Sequence, residues 1–223
     1  MIIVHHLNNS RSQRILWLLE ELGLEYEIKS YKRDPVTMLA PAALRAVHPL
    51  GKSPVISDGN IVVAESGAII EYLIERYGKG ALIPTPGSPA KRRYTYYMHY
   101  AEGSAMTPLL MKLVFDRLEN SPMPFFVRPV ARGIAQKVKS SYIMPQIKQH
   151  LSFLEADLGN APWFAGDAFS GADIQISFVL EAANARGGLN EKYPKLTGFL
   201  KRIHARPAYI RGLERGGPYE LIK

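Results

Sequence analysis

The architecture of this chain can be inferred from residues 2–31, which read IIVHHLNNSRSQRILWLLEELGLEYEIKSY. Residues 2–6 have the pattern of a buried strand. Apolar residues then recur at the i, i+3, i+4, i+7 spacing of an amphipathic helix: Ile15, Leu18, Leu19 and Leu22. Gly23 is placed to end this helix, and residues 26–31 alternate as a second strand does. The segment therefore predicts a β-α-β unit.

The next fifty residues predict the rest of a small α/β domain. An irregular stretch around Asp34–Pro35 leads into an Ala-rich helical segment near residues 38–47. Two short strands follow at 54–57 and 61–63, and Asp58-Gly59-Asn60 between them is a hairpin signal. A helix over about 66–77 completes the order β-α-β-α-β-β-α.

A change of composition marks a second domain. Five residues that break helices fall within six positions: Pro84, Pro86, Gly87, Ser88 and Pro89. Everything beyond them has helical periodicity, interrupted by Pro and Gly near 120–124, 159–162, 187–188 and 207. We therefore expect an α/β domain over 1–82, a linker over 83–90 and an all-helical domain over 91–223.

Composition excludes several classes of protein. The chain has 223 residues, of which 47% are hydrophobic and 22% charged, values typical of globular proteins. It contains no cysteine, so a disulfide, a redox pair and a thiolate metal site are excluded. Any thiol chemistry must therefore use a thiol brought by a substrate.

The charge and hydropathy patterns argue against nucleic-acid, membrane and metal binding. The net charge is +8, but the basic residues form only short runs without interleaved aromatic residues. No stretch approaches 18 apolar residues, and the first residues run straight into His5 and His6 without the basic region and apolar core of a signal peptide, so we expect a cytoplasmic protein without a membrane span. His5 and His6 alternate along a strand and face opposite ways, which makes them a poor metal pair, and we predict no metal site.

The first candidate site is Ser10, in the turn between the first strand and the first helix. A helix N-terminus presents unpaired N–H groups and a positive dipole end, so a thiolate held there is favoured over the thiol. The hydroxyl of Ser10 can donate a hydrogen bond to such a sulfur. The alternative is that Ser10 only caps the helix.

The second candidate site is Lys52-Ser53-Pro54. A cis bond before Pro54 would leave the N–H and C=O of Ser53 free to pair with an extended peptide. Lys52 could then meet a carboxylate of that peptide. The alternative is a trans bond and a solvated lysine.

The third candidate site is Glu65-Ser66, at the start of the 66–77 helix. Ser66 and the helix N-terminus suit a carboxylate, and Glu65 can hold an ammonium. Together they match the zwitterionic end of an amino acid, although a simple helix start explains the same residues. Farther on, Ser170 and Asp173 have the form of a capping box that begins a buried helix, for which we expect a structural role.

These elements in this order resemble the glutathione S-transferase superfamily over nearly the whole chain. The segments His48 to Pro54, Ala64 to Gly67 and Met123 to Phe126 look like the group typified by the fungal enzyme and its bacterial relatives. The resemblance implies a thioredoxin-like α/β N-terminal domain, an all-α C-terminal domain and a homodimer.

The resemblance also implies roles for individual residues. Ser10 matches the serine that contacts the glutathione sulfur, although Asn8 or Asn9 could share or replace that role. The remaining matches are to the glutathione-binding positions of the family: Lys52, Ser53, Pro54, Glu65 and Ser66. The family's further basic residue before the cis-proline loop has only Arg45 as a candidate.

The expected activity is conjugation of glutathione, bound as a co-substrate, to a hydrophobic electrophile, with peroxide reduction as a further use of the same thiol. The second substrate should lie between the domains, against the helix after the linker. Adaptable apolar side chains occur there, although such stripes more often belong to the core or to a dimer interface: Tyr94, Tyr97, Met98, Met106, Met111 and Phe115. The alternative function is a non-catalytic module of the same fold.

Overall fold

A computed structural model describes residues 1–34, 37 and 39–221. The N-terminal domain is built on one four-stranded sheet of order β2-β1-β3-β4. Its strands are β1 (Ile2–Leu7), β2 (Tyr26–Tyr31), β3 (Val55–Asp58) and β4 (Ile61–Ala64). β1 is parallel to β2 and antiparallel to β3, and β3 and β4 form the predicted hairpin, with Asp58 opposite Ile61.

Three helices complete this domain: α1 (Ser12–Glu21), α2 (Ala42–Arg45) and α3 (Ser66–Tyr77). The order β-α-β-α-β-β-α and the thioredoxin-like class are confirmed. The helix expected over 38–47 is shorter than predicted, because Pro41 precedes its first turn and the residues before Pro49 are disfavoured in the helical region. Pro35, in the predicted irregular stretch, and Met38, at the start of the predicted helix, lie outside the described residues.

The C-terminal domain is helical, as predicted. Its helices are α4 (Pro89–Tyr100), α5 (Met106–Asn120), α6 (Arg128–Val138), α7 (Met144–Leu158), α8 (Gly171–Ala182), α9 (Pro194–His204) and α10 (Pro207–Gly216). One π-helical turn each follows α4, α6 and α8: Ala101–Ala105, Lys139–Ile143 and Ala183–Gly187. α4 begins inside the expected linker, because Ser88 Oγ accepts from the Lys91 N–H at 3.1 Å and Pro89 suits a first helical position.

The core of the helical domain surrounds α8, every residue of which is buried. The predicted capping box at its start is present, with Asp173 accepting from Ser170. Most of the apolar side chains after the linker belong to the core, which was the alternative to a substrate-binding role. Buried are Tyr94, Tyr97, Met98 and Met106, and half-buried are Met111 and Phe115. Those four side chains therefore offer little surface to a second substrate.

Candidate functional site

Three segments of the N-terminal domain meet at one edge of the sheet. In the strand register, His5 lies opposite Val55, and Val55 lies opposite Ala64. β1 therefore leaves the sheet, on its way to Ser10, at the edge where β3 begins and β4 ends. The residues just beyond the Val55–Ala64 pair flank this edge: Ser53, Pro54, Glu65 and Ser66.

Ser10 lies in the loop between β1 and α1 and is buried, with only 4% of its surface exposed. Its Oγ accepts a hydrogen bond from the Ser12 N–H at 3.2 Å, which satisfies one of the amides at the start of α1. The same Oγ lies 2.7 Å from Ser12 Oγ and 3.3 Å from Ser53 Oγ. The structure thus brings two of the predicted site residues together and also gives Ser10 the capping contact that the sequence allowed.

Among these three serines, Ser10 is the one whose hydroxyl proton has no carbonyl or histidine acceptor. Ser53 Oγ donates to a main-chain carbonyl of β1 at 3.1 Å. Ser12 Oγ lies 2.9 Å from His6 Nδ1, which in the neutral ring is able to accept the Ser12 hydrogen bond. Burial lowers the pKa of His6 and keeps the ring neutral, so only hydroxyl oxygens compete for the Ser10 proton.

The Ser53–Pro54 peptide bond is cis, which is one of the two alternatives that the residues left open and the one that the family resemblance implied. Pro54 is buried, Ser53 is half-buried and Lys52 is exposed beside them. Gly51 has a φ of +55°, and a Cβ there would come within 2.7 Å of Arg45 Cγ. Arg45, the candidate for a further basic residue, therefore packs next to Lys52.

Glu65 and Ser66 form the start of α3. Glu65 has a φ of 73° and is exposed, whereas Ser66 is the first helical residue and is 3% exposed. This arrangement directs the first N–H groups of α3 and their dipole toward the sheet edge that holds Ser53. A carboxylate is the ligand that such an N-terminus favours.

The asparagines beside Ser10 have main-chain partners. Asn8 Oδ1 accepts from the N–H of Arg33 at 3.4 Å, and Asn9 Oδ1 accepts from the N–H of Glu220 at 3.0 Å. Asn9 adopts a φ of 50°, which asparagine tolerates better than most residues. Both amides thus serve to hold the loop to β2 and to the C-terminal segment.

An ion-pair cluster that sequence reasoning missed lies next to this loop. Arg11 Nε donates to Glu102 Oε1 at 2.8 Å, and the buried Arg14 donates both to that oxygen and to the carbonyl of Gln175. Burial opposes ionisation of Glu102, but the charges of Arg14 and Arg11 outweigh it and hold its pKa at about 2. The cluster ties the Ser10 loop to the helical domain. The paired basic residues at the start of α1 were the only signal for it in the sequence.

Neither a metal cluster nor a membrane span is found in the part of the chain that the structure describes. There, no three His, Cys, Asp or Glu side chains are grouped as metal ligands. No described helix is long and apolar enough to cross a bilayer.

Sequence comparison matches most of the chain to two protein families. Residues 1–75 match the family described as "Glutathione S-transferase, N-terminal domain", and residues 108–207 match "Glutathione S-transferase, C-terminal domain".

Individual relatives match over nearly the full length. Glutathione S-transferase 1 of Saccharomyces cerevisiae is 34% identical over 223 residues, which cover 96% of this chain and 95% of that protein. Glutathione S-transferase 3 of Schizosaccharomyces pombe is 36% identical over 209 residues, covering 93% and 85%.

Solved structures share the fold. A glutathione S-transferase from Actinobacillus pleuropneumoniae has a TM-score of 0.78 and 34% identity, covering 99% of this chain and 94% of its own. A glutathione transferase homologue from Sulfitobacter, determined with bound glutathione, has a TM-score of 0.77 and 20% identity, covering 97% and 98%. At 20% identity, the similarity to the Sulfitobacter protein supports the fold alone.

Proposed function

The chain belongs to the glutathione S-transferase family, and from this premise we propose that it conjugates glutathione to an electrophile with Ser10 as the catalytic residue. The observation that carries this assignment is the Ser10 hydroxyl. This hydroxyl does not donate to a carbonyl or to a histidine nitrogen, and its oxygen lies 3.3 Å from the hydroxyl oxygen of Ser53. The Ser10 proton goes to a neutral hydroxyl oxygen, that of Ser12 at 2.7 Å or that of Ser53 at 3.3 Å, and a hydrogen bond to a charged sulfur is stronger than either.

Glutathione fits the edge of the sheet as a co-substrate. The backbone of Ser53 pairs with its cysteinyl part, with Pro54 setting the direction of that backbone. Glu65 and Ser66 hold the ammonium and carboxylate of the γ-glutamyl end, and Lys52, with Arg45 beside it, meets the glycine carboxylate. The exposed Lys52 and the buried Ser66 match these ends, because the first must reach into solvent and the second lies at a helix N-terminus.

The reaction then needs only a thiolate and an electrophile. The hydrogen bond from Ser10 and the N-terminus of α1 favour loss of the thiol proton to solvent. The sulfur uses a lone pair to form a bond to the electrophilic carbon, and the leaving group departs with the electrons of its former bond. With a hydroperoxide, the sulfur attacks one oxygen and an alcohol leaves; a second glutathione then gives the disulfide and water.

A substitution at Ser10 tests the assignment. We expect Ser10→Ala to lower kcat/KM for an aryl halide by about 10- to 100-fold, the value of a hydrogen bond to a charged group. The inflection in the pH profile should move upward, because the bound thiol loses a group that stabilises its charge. Ser57→Ala is the matched control, since Ser57 Oγ lies 2.9 Å from Nε2 of His5, a residue to which the proposal gives no role.

Binding is measured separately from turnover by thermal melting with glutathione. A ligand at about 100 times its Kd stabilises the folded state by about 2.7 kcal/mol. No shift for the wild type would overturn the binding site. A shift without turnover of either an aryl halide or a hydroperoxide would favour the non-catalytic alternative, and full activity of Ser10→Ala would remove Ser10 from the mechanism.

A homodimer forms part of the proposal. Large apolar side chains on α5 and α6 are at least half exposed: Leu110, Val114, Val130 and Ile134. A second copy seated on this face would remove them from water. We expect light scattering to give twice the 24.9 kDa chain mass and Val130→Lys to give the single mass. Ile210→Lys, at an exposed position on α10, is the control; a wild-type monomer would contradict the proposal.

Two expectations from the sequence stay predictions. The domain boundaries at residues 82 and 91 can be checked by limited proteolysis, which should cut first within 83–88, before α4 begins at Pro89. Cytoplasmic location can be checked by cell fractionation.

A further inference from the structure

The segment that follows α10 returns to the loop that holds Ser10. We call residues 217–221 of this segment the strap. Gly217 has a φ of 78°, which glycine adopts without steric cost, so the chain turns away from the axis of α10 at this residue. A Cβ on Gly216 would lie 2.8 Å from Leu16 Cδ1, so the turn is made against α1. The strap therefore starts beside the helix that Ser10 precedes.

Tyr219 and Leu221 anchor the strap to the helical domain. Tyr219 donates to Glu181 Oε2 at 2.7 Å, and Leu221 is buried in the hydrophobic core. Glu181 belongs to the wholly buried α8, and its other carboxylate oxygen accepts from Tyr209 at 2.6 Å. Hydrogen bonds from hydroxyls to a carboxylate are among the stronger ones, so the strap takes its position from the core of this domain.

Glu220, between these two anchors, contacts the residue that precedes Ser10. Its N–H donates to Asn9 Oδ1 at 3.0 Å, while Glu220 is otherwise exposed. Asn9 is half-buried and has a φ of 50°, a conformation that a residue other than glycine keeps where its surroundings hold it. The strap supplies such a hold at the position immediately before Ser10.

The helical domain thus holds both neighbours of Ser10. Arg11, after it, donates to Glu102 at 2.8 Å, and Asn9, before it, accepts from the strap. Under the proposed function, glutathione is bound by a different part of the molecule, the sheet edge. Hydrogen bonds weaken steeply as their distance and angle depart from the optimum, so the bond from Ser10 to the sulfur depends on where these contacts place the loop.

We propose that the strap belongs to the catalytic apparatus and that Asn9 is a positioning residue: the Glu220 N–H, through Asn9, places the Ser10 hydroxyl against the glutathione sulfur. This inference rests on the proposed function, because it assumes that Ser10 meets the sulfur. A protein whose strap is released still binds glutathione at the sheet edge but ionises its thiol less readily. Asn9 acts through Ser10 and not on the sulfur itself.

Removal of the acceptor and of the donor tests this contact from both ends. Asn9→Gly removes the amide while glycine still adopts the positive φ, and Glu220→Pro removes the N–H. With saturating glutathione, we expect each to lower kcat/KM for an aryl halide by about fivefold, as loss of one neutral hydrogen bond does, and to raise the inflection of its pH profile. The Kd of glutathione, measured by calorimetry, should change by less than about twofold, because its binding contacts are kept.

The double variant identifies the bond itself. Asn9→Gly combined with Glu220→Pro should be no worse than either alone, because both remove the same hydrogen bond. Glu220→Ala keeps the N–H and should lose less activity than Glu220→Pro. Asn190→Gly is the matched control, because Asn190 Oδ1 also accepts a main-chain N–H, that of Lys192 at 3.0 Å, at an exposed position.

Three results would overturn the inference while the proposed function stands. The first is additive losses in the double variant, and the second is equal losses for Glu220→Ala and Glu220→Pro. The third is a lower melting temperature with an unchanged pH profile, which would mean that the strap only stabilises the fold.

A Ser10→Ala background shows whether Asn9 acts through Ser10. In that background Asn9→Gly should cause no further shift of the inflection, because the hydroxyl that Asn9 positions is gone. A further shift would mean that Asn9 contacts the sulfur directly, and it would overturn the inference. Full activity of Ser10→Ala is a different outcome: the proposed role of Ser10 then fails, and this inference fails with it.

Discussion

Ser12 is fully buried beneath Ser10 and joins it to His6. Ser12 Oγ lies 2.9 Å from His6 Nδ1, and the Ser12 amide donates to Ser10 Oγ. Both contacts hold the Ser10 oxygen in place while leaving its proton movable. At the scale of single residues, the candidate site therefore depends on Ser12, whose role no local sequence pattern indicates.

Glu102 provides a test at the same scale. With a folded pKa of about 2 against an ordinary value of 4.5, the ionised carboxylate stabilises the fold above about pH 5, and this contribution is lost as pH falls toward 2. We expect Glu102→Gln to lower the free energy of unfolding at neutral pH by about 2 to 4 kcal/mol, because Arg14 is left buried without its anion.

Urea unfolding at several pH values measures this effect. The gap between wild type and Glu102→Gln should narrow on acidification, since the wild-type carboxyl becomes neutral as well. Glu191→Gln, at an exposed position, is the control. A gap that stays constant between about pH 5 and pH 2 would show that Glu102 is not the group that titrates.

At the scale of elements, α8 depends on how it begins. Asp173 accepts from the Phe164 N–H at 2.8 Å and from the Ser170 N–H at 2.9 Å. Burial raises its pKa to about 6, while the hydrogen bonds from Phe164 and Ser170 oppose this rise and favour the charged acceptor. Because α8 is wholly buried, its start fixes the core of the helical domain.

Asp173→Asn should therefore destabilise the protein. The amide keeps one acceptor but turns its NH₂ group toward a buried donor, at a cost of about 2 to 4 kcal/mol for the unmatched polar groups. Chemical denaturation measures the loss. Asp167→Asn, in the exposed part of the preceding loop, should change stability by less than about 0.5 kcal/mol. Similar losses for the two variants would contradict the capping role.

At the scale of the whole molecule, the C-terminal helix secures the N-terminal domain. A Cβ on Gly212 of α10 would lie 3.0 Å from the main-chain N and Cα of Trp17, so the two helices approach at backbone distance. Arg206 binds Glu21 through two hydrogen bonds across the same contact, at 2.5 and 2.8 Å.

Gly212→Ala should separate α10 from α1. We expect a loss of about 1 to 3 kcal/mol in the free energy of unfolding, the usual cost of overpacking against backbone that cannot move aside. Gly133→Ala is the matched control within a helix, because no heavy atom lies within 4 Å of its Cβ position, and it should raise stability by about 0.5 to 1 kcal/mol. Equal effects of the two substitutions would show that the close approach carries no constraint.

The sequence by itself determined the order of elements and the capping box at Ser170. Each of these depends on residues a few positions apart, and local periodicity, turn chemistry and caps are properties of neighbouring residues. The same local rules did not fix the length of α2, which neighbouring prolines shorten.

Only the tertiary structure decided what surrounds Ser10. The bond from Arg14 to Glu102 joins residues 88 positions apart, and the contact between Ser10 and Ser53 joins residues 43 positions apart. Contacts between residues so far apart in the sequence are set by how the sheet edge, α1 and the helical domain pack together. A sequence records no angle between those elements, so the ion pairs of Glu102 and the hydroxyl contacts of Ser10 become visible only once the two domains are folded against each other.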